Sequence, residues 1–191
     1  MVTSYSQRSN KRGNGKNGVK DSYCSSIMNK LSITSINNRA PLQVTSTGNG
    51  AFEFYAENSK YIVGFVEDQT IMESGVYQFF IENTNDTKNT LSDKVYQTIV
   101  AIVEEFFTEN DSAILYICDI LDGRQSARDR LFAMWFNSYE GRFNYTLSRV
   151  SLRIEDTDYY ASLLISNSNP SYVEVLTAFN DFVKEFPGKL E

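Results

Sequence analysis

Apolar and polar positions follow two different periods along this chain, and the changes between them mark its elements. From Phe52, "FEFYAE" alternates apolar and polar positions, as a half-buried strand does. The polar "NSK" joins it to "YIVGFVE", and the two predict a hairpin. "SG" introduces "VYQFFIEN", a third strand rich in aromatic and β-branched residues, and the polar "NTNDTKNT" follows. In "SDKVYQTIVAIVEEFFTEN" the period changes. Val95, Ile99, Ile102, Val103, Phe106 and Phe107 recur at spacings of three and four, which predicts one helical face. Ser92 or Asp93 suits its start and Asn110 its stop. "AILYICD" is a nearly continuous apolar run, the pattern of a strand inside the sheet.

"GRQSARDRLFAMWFNSYEG" predicts a second helix ending near Gly141. "YTLSRVSLRIE" alternates imperfectly and reads as a fifth strand, "DTD" as a turn and "YYASLLISN" as a sixth strand. Pro170 stands where a helix's first turn tolerates it. "SYVEVLTAFNDFVKEF" then places Val173, Leu176, Phe179 and Phe182 along one face, and Pro187-Gly188 ends the helix. The order β-β-β-α-β-α-β-β-α predicts an α+β fold: a single mixed, mostly antiparallel sheet of about six strands with three helices. The strands flanking the first helix would form a right-handed crossover if parallel. The expected organisation is a disordered basic leader over 1–20, a turn-rich transition over 21–50, and one α+β domain over 51–187.

Composition narrows the chemistry. The chain has 191 residues, 41% of them hydrophobic, enough for one core without metal or disulfide staples. The net charge is −6, yet Arg8, Lys11, Arg12, Lys16 and Lys20 lie in the leader with no acid beside them. The body is therefore strongly acidic and would repel phosphates, so nucleic acid is expected only through the leader. No apolar run reaches the roughly 18–20 residues that span a bilayer, and the leader lacks the apolar stretch of a secretory signal. With only Cys24 and Cys118, a disulfide framework is not expected and the cytoplasm is the simplest location. The chain contains no histidine. That removes Ser-His-Asp and Cys-His activation and the usual zinc sites. No metal and no cofactor is expected.

The densest chemistry lies in "YICDILDGRQSARDRLFAMWF", Tyr116 to Phe136. On a helical projection Leu131 and Trp135 share a stripe that also carries Arg124 and Arg128, with Asp129 and Arg130 on the opposite, wetter face. Two guanidinium groups turned inward at a helix start require an anion. Asp119 answers that need as a clasp between strand and helix; a ligand phosphate or carboxylate is the alternative, with Arg124, Arg128 and Asp119 as its site. "DGRQ" has the form of a capping box, with Asp122 as N-cap and Gln125 reaching back. Asp119 and Asp122 as a metal pair are a weak signal. Tyr116, Cys118 and Trp135 read as core.

The segment "ILYICDILDGRQSARDRLFAMWF", preceded by "DKVYQTIVAIVEEFF", resembles a family of short uncharacterised Bacteroidota proteins that carries a domain of unknown function. The resemblance covers roughly Phe52 to Phe186, and its most specific part is the strand-Asp-x-x-Asp-Gly-Arg-Gln-helix segment. It implies a cytosolic bacterial protein and supplies no activity. Three functions remain. One is a non-enzymatic binding or interaction protein with a protein partner or self-association, such as an accessory of a mobile-element or defence system. Another is a phosphate or nucleotide binder, or a phosphoryl-group enzyme, built on Asp119, Arg124 and Arg128. The third is nucleic-acid binding through the leader.

Overall fold

A computed structural model describes residues 28–48, 50–84, 92–118, 120–154 and 156–185. The basic leader lies outside the described residues. The element order is α1 (Ile33–Arg39), β1 (Val44–Gly48), β2 (Ala51–Ala56), β3 (Ser59–Glu67), β4 (Val76–Asn83), α2 (Asp93–Glu109), β5 (Ala113–Ile117), α3 (Gln125–Ser138), a 3-10 turn (Glu140–Asn144), β6 (Tyr145–Ile154), β7 (Thr157–Ser166) and α4 (Tyr172–Lys184). The fold is α+β, as the periodicity predicts. Among the described residues it holds seven strands and four helices rather than six and three, because α1 and β1 arise within the segment read as a transition.

The strands form one sheet in the order β1-β2-β3-β4-β5-β7-β6. Only β4 and β5 pair in parallel, and α2 makes the crossover between them. All other neighbours are antiparallel. The β2–β3 hairpin closes over two residues, with Glu57 in the left-handed region at φ 52°.

Helices cover the two faces unequally. On one face, Val95, Ile99, Ile102 and Phe106 of α2 pack on Phe54, Tyr61, Val63, Phe65, Tyr77 and Phe79 of β2–β4. Phe106 is fully buried, stacked on Phe65 at 4.5 Å and edge-on to Tyr77 at 5.7 Å. On the other face, Val175, Phe179 and Val183 of α4 pack on Val76, Ala113, Leu115, Leu163 and Ile165. The predicted row shares Phe179 with this core, and its Leu176 and Phe182 are partly buried against it, but Val173 is exposed and Val175 takes the buried place. Strand β5 is covered on both sides, Ile114 by the first core and Ala113 and Leu115 by the second, which explains its unbroken apolar run.

Helix α1 rides on α2 through polar anchors. Glu105 of α2 is buried, and its carboxylate accepts from Arg39 at 2.5 Å and from the Ser32 N–H at 3.1 Å. The Asn29 N–H donates to Asn110 at 2.8 Å. Inside α1 itself only Ile36 is buried, and Ser32 caps its start. Seven residues with one core anchor cannot announce themselves by periodicity, which is why the segment reads as a transition.

Truncating the centre of the larger core, Phe106→Ala, is expected to lower stability by about 3–5 kcal/mol, the range for a buried aromatic. A chemical-denaturation midpoint shift checks it.

Candidate functional site

The Asp-Arg corner forms differently from the helical projection. Asp119 lies outside the described residues. Asp122 sits in the turn before α3, where Gly123 takes φ +70°. Its Oδ1 accepts from the Arg124 N–H at 3.1 Å, an Asx-type turn. Both carboxylate oxygens accept from the Arg128 guanidinium at 2.7 Å, a two-pronged ion pair. The hydrogen bond from Arg128 holds the Asp122 carboxyl down at about 2, with the Arg124 N–H assisting and partial desolvation opposing. Arg128 therefore has its carboxylate inside the turn, and Arg124 is exposed rather than turned inward.

The capping box does not close. Gln125 turns away from Asp122, and its Nε2 donates to the Asp158 carbonyl of β7 at 3.3 Å. Its Oε1 is buried with no hydrogen-bond partner among the described residues. The reason is that α3 is rotated from the predicted orientation. Its inward face runs Gln125, Asp129, Phe132, Ala133 and Phe136, which are themselves spaced as one helical face.

Asp129, expected on the wetter side, is 6% exposed and paired with Arg149 of β6. The register explains the pairing. Tyr116 of β5 lies opposite Ser162 of β7, and Ser162 opposite Arg149 of β6, so a polar row crosses the sheet beneath α3. The Tyr116 hydroxyl and the Cys118 thiol are neighbours, and both are pushed up, first by burial. The Cys118 thiol reaches about 11, with the Asp129 charge adding to burial. A thiol held that high is a poor nucleophile, which agrees with its reading as core. Among the described residues, no group of three or more acidic, cysteine or histidine side chains could hold a metal.

A second feature was not anticipated from the sequence. Between α2 and α3, above the sheet, lies a half-open cavity of about 70 Å³. Tyr96, Val100 and Glu104 border it from α2, and Phe132, Trp135 and Phe136 from α3. Tyr139 and Tyr145, beyond the end of α3, complete the wall. The rings meet at an angle rather than stacking flat: Tyr96 and Trp135 at 5.6 Å and 38°, Phe107 and Tyr145 at 4.9 Å and 52°. The Tyr96 hydroxyl donates to the Trp135 carbonyl at 3.2 Å. The Tyr139 hydroxyl donates to Glu104 Oε1 at 2.6 Å. Burial raises the hydroxyls of Tyr96, Tyr139 and Tyr145 above the usual range, and the nearby Glu104 charge raises them further. The signal that could have revealed the cavity is the density of aromatic residues from Phe132 to Tyr145.

Residues 91–181 match the model of a family of unknown function (DUF6169). The match begins at the start of α2 and includes the Asp-x-x-Asp-Gly-Arg-Gln segment, but it leaves out β2–β4, which the resemblance from Phe52 had included. No curated protein matches the chain. No helix among the described residues is long and apolar enough to cross a membrane.

The Asp122–Arg128 pair makes stability depend on acid. A carboxyl whose folded value lies below its ordinary 3.8 contributes stability above that value, and the contribution is lost as pH falls toward about 2. Arg128→Gln is expected to move the Asp122 carboxyl back up toward 3.8 in an NMR titration and to remove this acid-range dependence. An unmoved Asp122 would contradict the pairing.

Proposed function

We propose that this protein is a non-enzymatic binding module that takes up an apolar group in the cavity between α2 and α3. The observation that carries the reading is the cavity itself: a concave, aromatic-lined space with few polar groups, the usual character of a small-ligand site. The chemistry around it agrees. The chain has no histidine to serve as general base, and Cys118 is buried with its thiol held near 11, which makes it a poor nucleophile.

The competing reading, an anion or nucleotide site at Arg124 and Arg128, is weakened by the bidentate bond from Arg128 to Asp122. A phosphate there would have to displace a carboxylate that already meets the guanidinium with good geometry.

Trp135 is the sole tryptophan and borders the cavity, so its emission reports occupancy. Toluene is expected to bind saturably, with a change in Trp135 emission and a matching heat in calorimetry. Val100→Phe, which fills the space from α2, is expected to weaken that binding at least about tenfold without lowering the melting temperature. Toluene binding that is absent, or equal in both proteins, would overturn the reading.

A further inference from the structure

Of the residues that line the cavity, Glu104 is the one acid, and it shares its cation with a neighbour. Glu104 borders the aromatic wall, and Glu105 is its chain neighbour. Arg39 is the cation paired with both, at 3.4 Å from Glu104 and 2.5 Å from Glu105. Two carboxylates share one guanidinium, and the guanidinium lies closer to Glu105. Glu104 is 29% exposed, against 3% for Glu105. Its other contact is the neutral hydroxyl of Tyr139 at 2.6 Å. Among the described residues, the mouth of the cavity thus sets Glu104, held by Arg39 only at 3.4 Å, beside the rings of Tyr96, Trp135, Tyr139 and Tyr145, while the nearby Arg142 guanidinium is turned onto the Phe143 ring and the Tyr139 carbonyl.

Aromatic rings around a carboxylate form a cation receptor, since ring quadrupoles attract positive charge and the acid neutralises it. The largely apolar wall selects among cations. A primary ammonium is strongly hydrated and would lose hydrogen bonds that these rings cannot replace. An alkylated ammonium presents methyl groups to the wall and spreads its charge over them. Anionic ligands would be repelled by Glu104.

We propose that the α2–α3 cavity binds a compact alkylated ammonium group, held among the rings of Tyr96, Trp135, Tyr139 and Tyr145 and neutralised by Glu104. This rests on the binding reading above and specifies its ligand class.

Choline and its neutral isostere 3,3-dimethylbutan-1-ol differ in charge but hardly in shape, so together they test the charge alone. The full chain is titrated with each, read by Trp135 emission and calorimetry. Choline is expected to bind about tenfold more tightly than the alcohol. Glu104→Gln, which keeps an acceptor for the Tyr139 hydroxyl, is expected to erase that preference. Equal affinity for the two ligands in the unaltered protein would overturn the cation proposal and leave the binding reading standing, as would toluene binding without choline binding. Binding of none of the three would end both. Nα-acetyl-trimethyllysine methylamide serves as a third ligand. Tighter binding than choline would assign the ammonium group to a partner's side chain, and weaker binding to a free small molecule; either supports the proposal.

Discussion

Helix α3 is docked on the sheet by a buried carboxylate beside one stacked ring, Phe132 on Tyr116 at 4.7 Å, and the architecture around it follows from that mixed contact. Of its fourteen residues only Asp129 and Ala133 are buried. Asp129 meets Arg149, which β6 presents on the covered face, in the row that also holds Tyr116 and Ser162. Helix α2 is attached in the opposite way, by a stripe of Val95, Ile99, Ile102 and Phe106 sunk into a continuous apolar core. An ion pair fixes a distance and an orientation but does not fill space as interlocking side chains do. With α3 held at its polar row, Phe132, Trp135 and Phe136 reach toward α2 without closing the gap, and the cavity is what remains between them.

Two kinds of chemistry are thereby separated along one helix. At its start, Asp122 and Arg128 neutralise each other in a turn set by Gly123. Beneath its middle, the buried Asp129 and Cys118 lie with the half-buried Tyr116 and the partly exposed Arg149 in a polar cluster whose carboxylate and guanidinium are paired. At its far end the aromatic rings and Glu104 enclose open space. The first two arrangements satisfy their own charges, whereas the third leaves open volume beside an acid only loosely held by Arg39. The binding proposed above is therefore located at the third.

The periodicity revealed much of this fold and little of the site. The helix pattern from Val95 to Phe107 and the apolar run of β5 were legible because each answers to a large core; the predicted limits of α2, near Ser92 and Asn110, are its observed caps. α1 and β1 were hidden because each has a single buried side chain, Ile36 or Val44, among its described positions. The orientation of α3 was misjudged for a physical reason: the projection followed the Leu131–Trp135 stripe and turned Arg124 and Arg128 inward, whereas the inward face carries Asp129 and Gln125 and meets its charge from Arg149 on the sheet. The imperfect alternation of β6 already held the clue, since Arg149 stands where an apolar residue was due. The cavity was not read because it depends on the spacing between helices, which no single element encodes; the aromatic density from Phe132 to Tyr145 was its one trace in the chain.

Amide hydrogen exchange measures the docking of α3 most directly. Arg149→Met leaves Asp129 buried without its partner, a costly state. The account predicts that amides of residues 125–138 then exchange roughly ten- to a hundredfold faster, while those in the core of α2 keep their protection. Unchanged protection across α3, or an equal loss in α2, would contradict the claim that this ion pair holds the helix in place.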